Sequence, residues 1–584
     1  MFRGRRRNAS GGVVACALAL AFAAPAFAAP AHVSVMTRVA HESQFPSGCV
    51  GSVYSPVLPR NALTEPHVTV NPKDARNVVV VWAQDTFSQP AVAQSLDGGR
   101  SFSTKVLPAL THCSGGAEEF ATDPWLSFGP EGGVYLSMFA SEATPPFITQ
   151  PISQLVVYRS PDHGATWPDP VVAQPRDGTF WDKPAITADP ARPGTAYLLS
   201  SRRAPGVGGA TGFEYFQMTT DFGRTWSAPT LIYLPGPQRN ASAAVVRVLP
   251  DGTLLDTFGV VENGFNATSN GSVLHVMSQR STDRGAHWST PLEIASWTGL
   301  EPKDPDRPDD PQGEYLDANP LPSFAVDRAG NAYLVWARIE SGKPPVIQLS
   351  RSTDGGKSWS KPKAVVNTGK QVFLPTIATA PDGTLGLTWY DTRADVRGDG
   401  KFTAEYRFAL SRDGGRTWPS QRIAGPFDME QAAGRLNHPF IGDYFGLAGA
   451  PAAFLSAFIV PGPQNRSDLY YAQLRFRASK LQVSVSPSAG IVGRRLHLRV
   501  VVTAPVGGRT VPIAGATVRL GTVSAITSSS GRARLSVIPH RTGRRRVTAE
   551  LRGFAGGSGT VTIRRGTRRR RSGSSGHSGE SEHR

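Results

Sequence analysis

Short apolar runs at strand period dominate this chain, and they come in pairs. Residues 65–70 lead through a turn into 77–82, 123–128 into 133–139, and 183–186 into 195–200. The pattern continues with 243–248 into 253–258, 322–326 into 331–336, 375–379 into 384–389, and 438–444 into 452–458. Turn residues such as Pro250-Asp251-Gly252, Arg328-Ala329-Gly330 and Pro381-Asp382-Gly383 separate the two halves, so each pair reads as a β-hairpin. After each of the first six hairpins comes a third strand, as at 155–159 and 406–410, then a short polar phrase and a fourth strand. The seventh hairpin is followed by a third strand at 469–476 and nothing more of that kind. Its fourth strand is expected from the other end of the chain, at 33–39.

The polar phrase is a repeat in its own right: a hydroxyl residue, a spacer, Asp, a spacer, Gly, two spacers, an aromatic. Its Asp residues are Asp97, Asp162, Asp221, Asp283, Asp354 and Asp413, recurring every 59 to 71 residues. The chemistry is that of a tight turn, in which Asp accepts backbone N–H bonds and Gly supplies a positive φ. One supersecondary unit copied at such a period buries its apolar faces against its neighbours. The expected fold is therefore all-β: a propeller of four-stranded units over residues 29–478, with seven blades preferred and six if the last hairpin is a cap. From residue 479 the strands at 481–486, 494–502, 517–520, 532–537 and 546–551 follow a different rhythm and predict a small β-sandwich over 479–566.

Composition changes the picture at the two ends. Residues 1–28 have a cationic start, an apolar run from Val13 to Ala24 and a small-x-small site at Ala26-Phe27-Ala28, the signature of a secretory leader. No run is long enough to span a bilayer, so no transmembrane segment is expected, and a lipid anchor at Cys16 is the weaker alternative. The leader holds four arginines and no acid, and residues 541–584 hold twelve arginines against three glutamates. Most of the net charge of +17 thus lies outside the body of the chain. The end at 567–584, with Arg568-Arg569-Arg570-Arg571, reads as a disordered basic arm suited to an anionic wall polymer. No aromatics interleave with these arginines, so specific nucleic-acid recognition is not expected. Outside the cell, Cys49 and Cys113 are expected to pair. A monomer is expected.

The Asp phrases resemble the Asp boxes, or bacterial neuraminidase repeats, of the sialidase-like superfamily. Cys113-Ser114-Gly115-Gly116, Asp123-Pro124-Trp125 and Ile441-Gly442-Asp443-Tyr444 add to the likeness, which covers residues 60–476. The sandwich resembles immunoglobulin-like modules of secreted bacterial proteins, through Gly515-Ala516-Thr517-Val518 and Ser530-Gly531-Arg532-Ala533. Asp boxes also occur in propellers without sialidase activity, so the resemblance speaks for architecture.

Strand polarity locates a mouth. If first strands begin on one face, second strands end there, third strands begin there, and the Asp turns lie opposite. The mouth then collects Glu65, His67, Asp123, Asp182, Lys183 and His438, together with Asp85, Glu142, Arg203 and Glu340. Glycan is the expected partner. The resemblance implies a carboxylate clamp of three arginines, here Arg202, Arg338 and Arg393. It implies a tyrosine nucleophile, Tyr390 or Tyr406 backed by Glu405 or Glu262, and Asp123 as acid and base. The Arg-Ile-Pro motif of sialidases has no counterpart. A non-catalytic scaffold for protein or cell-surface attachment is the alternative. No cofactor or resident metal is expected; the acid cluster at 303–310 lacks an EF-hand spacing.

Overall fold

The computed structural model describes residues 31–46, 49, 60–85, 88–142, 152–204, 211–236, 239–262, 273–298, 306, 321–340, 343–435, 438–463 and 467–566. The leader, the basic arm and most of the acidic insert at 299–320 therefore lie outside the described residues. Seven four-stranded antiparallel sheets follow one another along the chain. The first is Leu63–Val70, Val78–Gln84, Gln89–Ser95 and Ser103–Val106, and the second is Phe120–Phe128, Val134–Ser141, Ser153–Ser160 and Val171–Gln174. The third is Phe180–Ala188, Ala196–Ala204, Thr211–Thr219 and Thr230–Tyr233; the fourth is Arg239–Val248, Leu254–Glu262, Val273–Ser281 and Leu292–Thr298. The fifth is Ser323–Val326, Ala332–Glu340, Lys343–Ser352 and Lys363–Asn367; the sixth is Val372–Thr379, Leu385–Asp391, Thr403–Ser411 and Ser420–Asp428. The seventh takes Gly446–Ala450, Ala453–Val460 and Asp468–Arg475 from one end of the chain and His32–Ala40 from the other.

That last strand pairs as the hairpin count predicts, with His32 opposite Arg475 and Ala40 opposite Leu469. One boundary differs. The first strand of the seventh sheet is Gly446–Ala450, whereas His438–Pro439 pairs with Gly434–Arg435 in a small ribbon of its own. The first strand of each sheet packs against that of the next, and the first strand of the seventh packs against Leu63–Val70, so the circuit closes. This is the arrangement of a β-propeller. Its cores lie between sheets: Trp82 of the first, Tyr390 and Tyr406 of the sixth and Phe458 and Tyr471 of the seventh share one cluster.

The Asp turns are the fasteners of this ring. In the first, Ser95 Oγ donates to Asp97 Oδ1 at 2.8 Å and accepts from Gly99 N at 2.8 Å. Asp97 also accepts the Ser101 amide at 3.0 Å and the Ser101 hydroxyl at 2.7 Å. These bonds hold the Asp97 carboxyl down at about 2. The same pattern repeats at Asp162, Asp221, Asp283, Asp354 and Asp413. Each turn presses its glycine onto a core residue of the preceding sheet, as Gly285 does on Phe216 and Gly356 on Leu255. Gly99 presses on Tyr471, which joins the first sheet to the seventh.

Beyond the ring, Gln482–Ser486, Leu496–Val506, Arg509–Pro512 and Arg532–Val537 form one sheet. Ala489–Ile491, Gly557–Arg564, Gly543–Glu550, Thr517–Leu520 and Val523–Ile526 form another. Both contribute to a single core containing Val500, Val502, Val518, Val547 and Val561. This unit meets the Asp-turn side of the ring. Arg351 donates to the Gly507 carbonyl at 3.2 Å, the Ser479 amide donates to Asp382 at 2.6 Å, and Gly508 lies against the Asp413 carbonyl.

Substituting Gly99 by alanine tests the fastening. A Cβ there meets Tyr471 Cε1 at 2.0 Å, while at Gly178, also at positive φ, nothing lies within 4 Å. Both changes carry left-handed strain of about 1 kcal/mol, but only Gly99→Ala is expected to depress the melting temperature by several degrees further. Equal melting temperatures for the two variants in calorimetry would count against the interlock.

Candidate functional site

Five first strands carry the same irregularity near their start. Register shifts fall between Thr64 and His67, Thr122 and Trp125, Asp182 and Ala185, Ser242 and Val245, and Phe373 and Thr376. Inside each bulge sits a non-glycine residue at positive φ: Glu65 (51°), Asp123 (56°), Lys183 (48°), Ala243 (61°) and Leu374 (52°). Such a conformation costs about 1–2 kcal/mol per residue, and a bulge re-aims a side chain. In the first three sheets the re-aimed side chains are charged, and they meet at the ring axis.

Lys183 is the centre of that meeting. Its Nζ lies 2.6 Å from Asp443 Oδ2, 3.1 Å from Asp123 Oδ1 and 3.6 Å from Glu65 Oε1. Thr122 donates to the other Glu65 oxygen at 2.9 Å, and Asp182 closes on Arg203. All four carboxylates are buried. Burial pushes the Glu65 carboxyl up and the Asp123 carboxyl well above the usual range, the nearby lysine only partly countering it. For Lys183 burial works downward, but Asp123, Asp443, Glu65 and Asp182 outweigh it and keep the ammonium charged. One ammonium cannot neutralise three carboxylates, so the Glu65 and Asp123 carboxyls are the members raised above their usual range.

Aromatic rings stand beside the cluster. The His67 and Trp125 centroids are 4.3 Å apart, Trp125 and Tyr444 are 5.3 Å apart, and Lys183 Nζ lies 5.7 Å from the Tyr444 ring. Tyr444 donates to the Pro124 carbonyl at 3.2 Å. His67, Asp123, Trp125, Lys183, Asp443 and Tyr444 all line a cavity of about 70 Å³.

The polarity argument holds in the pairing. Arg202 lies opposite Phe213 while the Asp-turn residue Thr219 lies opposite Ala196, at the other end of the same strands. The expected catalytic residues, however, are not assembled. Tyr390 and Tyr406 are corrected from mouth to core: both are fully buried. Tyr390 Oη donates to the Ile459 carbonyl at 2.6 Å and Tyr406 Oη bonds Ser456 at 2.9 Å, so neither phenol faces a ligand. Both are held there by stacking, Tyr390 on Phe373 and Tyr406 on Phe458.

Each arginine of the expected clamp is closed by an acid of its own sheet or loop. Arg202 reaches Asp177 at 3.1 Å, Arg338 reaches Glu340 at 3.5 Å, and Arg393 forks onto Asp391 at 3.0 and 2.6 Å. Glu405 accepts from Arg407 at 2.6 Å and Arg422 at 3.0 Å, and Glu262 from Arg239 at 2.9 Å. Of the expected set, only Asp123 stands in the axial cluster. The side chain of His438 lies outside the described residues.

Asp443 and Tyr444 complete the cluster without having been assigned a role from sequence. A charged residue directly before proline at three successive strand starts (Glu65-Pro66, Asp123-Pro124, Lys183-Pro184) was the available signal. Cys49 and Cys113 stand side by side as thiols, Cys113 Sγ donating to the Cys49 carbonyl at 3.3 Å. With His112 they bring three soft-metal donors within 4.8 Å of one another. Asp306, the described member of the acidic insert, accepts the Gly398 amide at 2.7 Å and the Gly400 amide at 3.2 Å.

No protein-family model matches this chain, and no curated protein matches it. Among solved structures, it is similar to a protein of unknown function from Dyadobacter fermentans, with 16% identity over 61% of this chain and 95% of that one, at TM-score 0.40. The Hadza microbial sialidase Hz136 gives 13% identity, 68% and 73% coverage and TM-score 0.40. An alpha-L-arabinanase of Penicillium chrysogenum gives 12%, 76% and 98%, and 0.39. Scores this low leave any functional reading to rest on the chain's own geometry.

Removing the central cation tests the cluster. Lys183→Met leaves buried carboxylates without their ion and is expected to cost about 3–5 kcal/mol in urea unfolding at pH 7. Carboxylates whose folded pKa lies above the unfolded values of about 4 stabilise fully below those values and lose that contribution as pH rises. The penalty should therefore shrink between pH 7 and pH 4. A penalty of the same size at both would contradict the assignment.

Proposed function

We propose that this protein is a secreted, glycan-recognising propeller whose seven sheets are its blades and whose working mouth is the axial cluster. On this reading an immunoglobulin-like sandwich rides on the opposite face, and export lets Cys49 and Cys113 join. The observation that carries the proposal is the gathering of Glu65, Asp123 and Asp443 around Lys183 Nζ, at 3.6, 3.1 and 2.6 Å, beside Trp125 and Tyr444. Paired acids and bases beside aromatic faces are the groups that bind sugar hydroxyls and C–H faces.

The same chemistry argues for a neutral glycan. An acid-rich mouth repels a sialic acid carboxylate, and the three arginines that would clamp one already hold Asp177, Glu340 and Asp391. Hydrolysis, where it occurs, falls to carboxyls in unlike environments: Asp123, whose carboxyl burial raises well above the usual range, as proton donor, and Asp443, bonded to Lys183, as its partner. A non-catalytic scaffold is the second reading, favoured by the way Lys183 seals the acids together.

Glycan arrays and a panel of fluorogenic glycosides separate these readings. Binding to neutral glycans, weakened in Asp443→Asn, is the expected result; any turnover should fall about 10²–10⁴-fold in Asp123→Asn. Signal confined to sialosides and lost in Arg393→Ala would overturn the proposal, and silence on every glycan would favour the scaffold.

A further inference from the structure

The cavity lined by the acid cluster also carries a cation from another sheet. Arg247, on the first strand of the fourth sheet, lines it. Its Nη1 donates to Thr187 Oγ1 at 3.3 Å and to the Val246 carbonyl at 3.2 Å, and the remaining guanidinium nitrogens have no partner among the described residues. No described carboxylate forms an ion pair with it. Burial alone pushes the group down to about 10, with no acid near enough to pull it back.

Two further donors line the same space. His67 Nδ1 accepts the Leu126 amide at 3.3 Å, which places the ring hydrogen on Nε2. Burial, then the charge of Arg247, lowers the His67 pKa to about 3, so the ring is a neutral donor. Ser323 Oγ accepts the Ile377 amide at 3.0 Å, which leaves its hydroxyl hydrogen without an acceptor among the described residues. Apolar walls come from Pro184, Val245, Phe324 and Ile377, and Asp123, Lys183, Asp443 and Tyr444 of the cluster line the same cavity.

The cations above are accounted for: Lys183 is enclosed by Glu65, Asp123 and Asp443, and Arg203 by Asp182. Among the described cations lining or adjoining the cavity, Arg247 is the one left over. A half-buried guanidinium lining a cavity without a paired carboxylate is disfavoured.

We infer that the cavity holds a small monovalent inorganic anion of chloride size, seated between the Arg247 guanidinium, the His67 Nε2–H and the Ser323 hydroxyl. At about 10–15 Å³ of such volume per water molecule, a cavity of about 70 Å³ has room for a halide with a few waters. The inference stands apart from the glycan reading, because that reading gives Arg247, His67 and Ser323 no part.

Two measurements on the full chain test it. In crystals grown in sodium bromide, an anomalous peak is expected within hydrogen-bonding distance of Arg247 and His67 Nε2; a featureless map there, or a water alone, overturns the inference. In solution, replacing sodium gluconate by sodium chloride at constant ionic strength should raise the melting temperature saturably by a few degrees. Arg247→Leu should abolish that rise and match or exceed the parent protein in gluconate. A chloride response unchanged in Arg247→Leu would equally overturn it. Should that variant not fold, the bromide map of the parent protein decides.

Discussion

Closure of the ring is the constraint on which the rest of the molecule depends. Strand His32–Ala40 enters the seventh sheet beside Asp468–Arg475, so the two ends of the propeller region are hydrogen-bonded into one closed circuit. A propeller left open would expose the strand edge of its last sheet and the apolar face of its first. Closure also brings Asp443 to Lys183 across 260 residues of chain, and seats Gly99 on Tyr471 across a still longer span. The axial cluster is thus a product of the circuit.

The cost of that cluster is distributed locally. Glu65, Asp123 and Lys183 each adopt a backbone conformation that L-residues avoid, and each buries a group that water would otherwise solvate. The surrounding sheets hold these strained bulges in place through cores such as Trp82 and Tyr471. The result is a polar axis inside an apolar torus. It is acidic around the Lys183 ammonium and carries the Arg247 guanidinium elsewhere on the same cavity, whose lining includes His67 and Trp125. The two groups come from different strands: Glu65, Asp123 and Lys183 from the first three sheets and Arg247 from the fourth.

The C-terminal unit fits this division of faces. Its contacts run to Asp382, Arg351 and Asp413 on the Asp-turn side, which leaves the opposite rim to the connections between second and third strands. Several of these connections lie outside the described residues, so the axis, not the rim, defines the candidate site.

Much of the architecture is legible in the chain, because it is written in local chemistry. The six Asp turns depend on residues no more than four positions apart, and strand alternation depends on neighbours, so repeat, hairpin count and polarity can all be read without a structure. The pairing of residues 33–39 with the last strand follows from counting alone. The clamp of Arg202, Arg338 and Arg393 and the tyrosines Tyr390 and Tyr406 were misplaced for the complementary reason. Whether an arginine is taken up by its neighbour Asp391 or Asp177, and whether a tyrosine turns to Ile459 or outward, is decided by packing between sheets. Asp443 and Arg247 were missed because their partners are distant in sequence or absent from it. Periodicity therefore determined the strands and the face they share, while only the closed ring decided which charges meet, since side-chain direction at a bulge and burial at an axis are properties of neighbours the chain brings together last.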